Sequence, residues 1–271
     1  MIIVVLLLCF SLNIVKHGNI LIGILNTLLL FFSIYLYFRL SNQRLSFKSL
    51  KNLSPLFIFI APIPLFIQNQ DIYIILLAIG INLLILCYLA TRFKKTLVLV
   101  ISFYILFACF YANGIIKLPF SIQSDLLIFT DDRVNLYISQ MQKEALYMPY
   151  RLRLLLFNSS VYIYVILSKL AGIFTFKNLY DGLLMVNLYP MIKCVVLDFN
   201  NWNKSKILII YCILMISLFT VSSRTVDIFK TFTLLLPILM YFILKGLGYV
   251  NKAIYIVLFV ISIVIATSPL R

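Results

Sequence analysis

Read from its first residue, the chain is a succession of apolar runs in which charge is almost confined to the short connections. The runs are Met1–Val15, Ile20–Phe38, Leu53–Ile67, Ile72–Leu89 and Leu97–Tyr111, then, after one long polar interval, Leu154–Ile173, Leu179–Leu197, Ile207–Val221, Thr231–Leu244 and Ala253–Ala266. No water-soluble fold can hide so much apolar surface: 63% of the 271 residues are hydrophobic and 11% are charged, against roughly 45–50% and 25% in soluble domains. The solvent for most of these side chains is therefore lipid. In hydrocarbon every backbone N–H and C=O must be satisfied internally, which leaves helices or a closed barrel. Barrel strands alternate apolar and polar residues, whereas these runs are continuous. The expected architecture is all-α: a polytopic transmembrane bundle of about nine or ten spans, built as one integral membrane domain over residues 1–271. Several runs are shorter than the roughly 20 residues a span needs, so their helices should extend into the flanks. Pro62 and Pro64 interrupt the third run, Pro190 the seventh and Pro237 the ninth.

The net charge of +15 does not point to nucleic acid, because the basic residues are scattered through loops between spans, where the positive-inside bias puts them. Cys9, Cys87, Cys109, Cys194 and Cys212 all fall in or beside apolar runs without C-x-x-C spacing, and read as small buried hydrophobes. With His17 the only histidine, no zinc set can be assembled. Met1–Phe10 has neither a basic leading region nor a small-residue cleavage site, so it reads as a first span.

Orientation follows from lysine and arginine. Arg39–Asn52 carries Arg39, Arg44, Lys48 and Lys51, and Ala90–Thr96 carries Arg92, Lys94 and Lys95, while Gln68–Asp71 between them carries none. Both basic loops are expected in the cytoplasm, which puts Ala112–Arg153 outside. A conflict then arises. Asn200–Lys206 and Lys245–Lys252 also look cytoplasmic, yet two apparent spans separate Asn200 from the outside loop. Either the charge rule fails late in the chain or one of the two segments does not cross. Leu179–Leu197, with Asp181, Asn187, Pro190 and Lys193, is the expected exception, re-entering or turning its polar groups inward, because charge at mid-membrane is costly. Nine crossings result, with Arg224 and Asp227 outside.

Chemistry is expected in the long external loop, 112–153. It holds Asp125, Asp131, Asp132 and Glu144 together with Lys117, Arg133, Lys143, Arg151 and Arg153, and loops on rigid scaffolds are where function concentrates. Val134, Tyr137, Ile138, Met141, Ala145 and Met148 recur at helical spacing, which predicts an amphipathic helix on the membrane face, ending at Pro149. Two readings fit the charges. In one, Asp131 and Asp132 complement a helix N-terminus while Arg151 and Arg153 snorkel to the interface. In the other, these groups border a cavity for an anionic, lipid-borne substrate, since arginine pairs with phosphate bidentately. A second cluster, Ser222 to Asp227, places Arg224 and Asp227 three residues apart. On a helix that spacing gives either a structural ion pair or a site arginine held by its own carboxylate.

The string Ser223-Arg224-Thr225-Val226-Asp227-Ile228-Phe229, followed by Leu234-Leu235-Leu236-Pro237, resembles the late segment of the EpsG/Wzy group of bacterial polysaccharide polymerases. Asp132-Arg133-Val134-Asn135-Leu136-Tyr137, ahead of a span, is similar to that family's middle external loop. The likeness covers the second half of the chain, and the family's early external loop with its aspartate–tyrosine pattern has no counterpart here. It implies a multi-span enzyme of the bacterial inner membrane that joins undecaprenyl-diphosphate-linked oligosaccharide repeats for O-antigen, capsule or exopolysaccharide, with no metal or nucleotide cofactor. Its partners would be the lipid-linked oligosaccharide, membrane lipids and other polysaccharide-assembly proteins. By the same likeness Arg133 and Arg224, with Tyr137, Arg151 and Arg153, would bind substrate, and Asp132 or Asp227 would be the general base. A transporter or lipid-linked saccharide flippase, and a non-catalytic membrane protein, are the alternatives that the residues leave open.

Overall fold

The computed structural model describes residues 2–41, 55–63, 71–91, 93–112, 116–117, 121–122, 131–183, 185–198, 204–221 and 227–267. Among them the helices are α1 (Ile2–His17), α2 (Ile20–Leu40), α3 (Ile72–Ala90), α4 (Lys94–Ala112), α5 (Asp132–Glu144), α6 (Tyr150–Ile173), α7 (Phe176–Leu183), α8 (Met185–Asp198), α9 (Lys204–Val221), α10 (Ile228–Gly246) and α11 (Lys252–Thr267). A two-residue antiparallel ladder, Ile116–Lys117 against Ser121–Ile122, is the one sheet among the described residues. Five helices are long and apolar enough to cross a membrane, α2, α3, α4, α6 and α10, and shorter apolar helices include α1 and parts of α8, α9 and α11. The chain is a multi-pass all-α membrane bundle.

The ends of these helices are written locally. Asn19, Asp71, Asp131 and Asp227 each sit just before a helix, and each accepts a backbone N–H from its first turn through its side chain. Such caps satisfy donors that the helix itself leaves open. Gly18, at φ 63°, turns α1 into α2 in a region of backbone space that glycine enters without a Cβ clash. The expected third span departs from regular helix. Its described part is a 3₁₀ stretch over Pro55–Ile60 followed by a turn, in keeping with Pro55 and Pro62, which offer no N–H to an α-helical ladder. Even so Ile60, Ala61 and Ile63 are buried, and the Phe59 ring lies 4.3 Å from that of Phe259 on α11.

At the centre stands α10, 72% of whose apolar window is buried, packed by α2, α3, α8 and α9. Buried polar side chains join neighbouring helices. Asn26 on α2 donates to Asn13 on α1 at 2.7 Å, Asn82 on α3 to Ser33 on α2 at 3.3 Å, and Tyr255 on α11 to Asn187 on α8 at 3.0 Å. Such bonds are the polar adhesive of membrane helices, because lipid tails give no hydrophobic drive for helices to associate. Tyr255→Phe is expected to lower stability by about 1 kcal/mol, the usual size of these bonds, read as a lower melting temperature in detergent. Melting unchanged from the parent would show that the Tyr255–Asn187 bond contributes nothing.

The packing also settles which helix ends lie together. The rings of Tyr37 and Tyr241 are 6.2 Å apart, and Tyr37 lies within electrostatic reach of Lys245, Tyr249 and Cys194. Arg39 and Lys245 are therefore at the same end, and the C-terminal half of α8 reaches it too. Ser102 and Tyr211 meet at 2.7 Å, and Cys109 donates to the Ile216 carbonyl at 3.8 Å. Both contacts advance in one sense, so α4 and α9 are parallel and begin together, at Lys94 and Lys204. A short connection joins α9 to its neighbour α10, which returns the chain to Lys245. All these basic connections thus gather at one end of the bundle, the cytoplasmic one by the positive-inside rule. The late basic connections therefore share an end with the early ones.

Candidate functional site

The opposite end carries the long loop, and among its described residues the helix is α5. Asp131 caps it by accepting from the Arg133 N–H at 3.1 Å, and Asp132 lies in its first turn, where negative charge complements the helix dipole. The expected amphipathic helix is there, and its apolar stripe lies along α6. Val134 and Ile138 close a small apolar cluster with Val161, against which Tyr162, Val165 and Ile166 pack. Tyr162 donates to Asn135 at 2.8 Å, Gln142 to Asn158 at 2.8 Å, and Arg153 through Nη1 to the Gln142 carbonyl at 3.0 Å. Asp131 is in electrostatic reach of Lys169. The order of these contacts makes the two helices antiparallel, with α5 covering the stretch from Arg153 to Lys169.

The face of α5 turned away from α6 is polar. Arg133, Tyr137, Gln140 and Glu144 follow one another at helical spacing and are all exposed, with Asp132, Leu136, Ser139 and Lys143 beside them. Tyr137, expected on the apolar stripe, is 48% exposed and belongs to this outer face. Met141 and Met148 are half-buried and Ala145 is buried, as the stripe predicted. Such a face does not belong in hydrocarbon, where each charged side chain costs roughly 2.5–3.5 kcal/mol at the bilayer centre. It faces water or a polar ligand.

The candidate substrate-binding residues separate into groups. Arg133 and Tyr137 share one stripe of α5, and Arg151 is exposed at the start of α6. Arg153 is half-buried and holds the C-terminal turn of α5, with its guanidinium 5.8 Å from the Tyr150 ring. That is a positioning contact. Asp227 accepts from the Lys230 N–H at 3.1 Å and pairs with its ammonium at 3.7 Å; it caps α10. Arg224 and Asp125 lie outside the described residues, as does the side chain of Lys117, so the face-sharing of Arg224 and Asp227 rests on the sequence alone.

Sequence reasoning missed Asn135, Gln142, Asn158 and Tyr162, the side chains that dock α5. Asn158, in the run Leu154–Ile173, was the available signal. A concavity of about 120 Å³ between α3 and α4 is lined by Tyr73, Leu76, Leu77, Tyr104, Phe107 and Tyr111. It presents no charge, so an anionic group has no counterpart there. The polar face of α5 remains the candidate site. No family model, no curated protein and no solved structure matches this chain.

Proposed function

We propose that the chain is a polysaccharide polymerase of the bacterial inner membrane, joining lipid-diphosphate-linked oligosaccharide repeats into a surface polymer. One observation carries the reading: a charged and aromatic helical face, with Arg133 and Tyr137 in register, mounted on a helix that exposes an apolar stripe of Leu152, Leu156, Ile163 and Leu167. An amphiphilic substrate, a sugar on a diphosphate on a lipid, needs both surfaces within one molecule's length. In the reaction a sugar hydroxyl attacks the anomeric carbon of another repeat, the diphosphate leaves with the bond electrons, and the hydroxyl proton passes to a carboxylate. Arg133 answers the charge of the diphosphate, Tyr137 offers a ring for a sugar face, and Asp132 is the proton acceptor. The test is deletion of the gene in its own host with surface polysaccharide resolved by length. Single, unpolymerised repeats are expected; a polymer profile identical to the parent overturns the proposal.

A further inference from the structure

We infer that α6 does not cross the membrane but lies in the plane of its outer interface, apolar side in lipid, with α5 riding on its aqueous side, and that α7 and α8 together make the crossing. Three observations converge. The first is parity. The C-terminus of α4 and the N-terminus of α9 are at opposite ends of the bundle, since both helices begin at the basic end, so an odd number of crossings must lie between them. If α6 and the α7–α8 segment both crossed, the number would be even.

The second is which of the two can cross. Val186 donates to Ser262 of α11, about 15 Å along that helix from its basic end. Farther on, the Pro190 carbonyl lies against Gly246, and Cys194 approaches Tyr37. The segment α8 thus descends from mid-depth to the cytoplasmic end. Only Leu184 stands between α7 and α8, and reversing two helices takes a loop of about 2–5 residues, so α7 continues upward from α8. The 8 residues of α7 and the 14 of α8 together rise about 33 Å as helix, enough for the bilayer. Asn187, which the sequence placed in a polar interior, is fully buried in this crossing and bonded to Tyr255.

The third is what surrounds α6. It is apolar enough to span, yet only 6% of its apolar window is buried; only its last turns, through Ile166, Leu170 and Ile173, reach the main core. Leu152, Leu156, Ile163 and Leu167 form an exposed stripe on the side away from Asn158, Tyr162 and Lys169, which meet α5. Were α6 upright, α5 with its charged outer face would stand in hydrocarbon from Arg153 down to Lys169, about 24 Å of depth. Laid flat, the layers run lipid, α6, α5, water, and each surface meets its own solvent.

The orientations differ at Thr175, exposed just after α6. A full-length Thr175→Cys variant carrying Cys87→Ser, which removes the exposed cysteine, is treated in intact cells with a membrane-impermeant maleimide. Labelling equal to that of Ser139→Cys on α5 is expected; labelling only after permeabilisation, as for Thr96→Cys at the basic end, overturns the inference. Spin labels at the exposed positions Leu156 and Leu167 give a second readout. Equal depths are expected, whereas a difference of about 16 Å, the rise between them in an upright helix, overturns it.

Discussion

Gly246→Ala should be among the most damaging single-methyl additions this protein can receive. Gly246 ends α10 in a fully packed position, and a Cβ built there would overlap the backbone carbonyl of Pro190 on α8. Neither side can yield cheaply. The obstacle is main chain on one helix, and the intruding atom is fixed to the main chain of the other. Overpacking of this kind costs typically 1–3 kcal/mol, and a backbone clash belongs at the upper end, about 3 kcal/mol, or a more than hundredfold fall in the folded ratio. Two other glycines calibrate the experiment. At Gly80 the added Cβ meets the hydroxyl tip of Tyr104, which can swing aside, so Gly80→Ala should cost clearly less. At Gly172 nothing lies within 4 Å, and alanine should be neutral or mildly stabilising, because glycine is the poorer helix former. The measurement is melting in detergent. A Gly246→Ala protein that melts with its parent would show that α8 and α10 do not touch at this point.

The same contact shows where sequence reasoning loses its hold. Hydropathy located the helices well, and it reported nothing about their neighbours. Both α10 and α6 pass as spans, yet one is mostly buried and the other almost bare. Lipid tails are as apolar as leucine, so a run of leucines does not reveal whether it faces protein or acyl chain. The usable signals were minor residues: Thr231, Thr233, Pro237 and Gly246 in the packed helix, Asn158 and Lys169 in the exposed one. Charge was more informative. It grouped the basic loops at one end, and helix packing brings those ends together. Within the Leu53–Ile67 run, Pro55–Ile60 form a 3₁₀ stretch and not an α-helix, because prolines govern it more strongly than hydropathy does. At the candidate site, periodicity found α5 and its apolar stripe. Docking through Asn135 and Gln142 depends on partners on the next helix, which periodicity within α5 cannot reveal.

Arg133 separates a recognition role from a structural one. Its side chain is exposed on the outer face of α5, so its removal should leave the fold intact; only its backbone N–H, bonded to Asp131, helps cap the helix, and that survives any substitution but proline. If the face binds diphosphate, Arg133→Ala removes a fixed positive charge from a group whose charge grows as the bond breaks. Losing one such donor costs on the order of 10²–10³ in rate, enough to leave mostly unpolymerised repeats on the cell surface. Arg133→Lys should be nearly as harmful, because lysine keeps the charge and loses the planar fork that engages two phosphate oxygens. Tyr137→Phe should be mild, since the ring that would lie on a sugar is retained. Arg153→Ala should act differently: it frees the Gln142 carbonyl and the C-terminal turn of α5, so activity should fall together with resistance to protease at residues 145–149. Lys95→Ala, at the cytoplasmic end, should spare polymer length. The readout is polymer length with protein abundance held equal. Full-length polymer from Arg133→Ala would remove α5 from the active site; a defect in Arg133→Ala that lysine rescues completely would replace bidentate recognition with simple charge attraction.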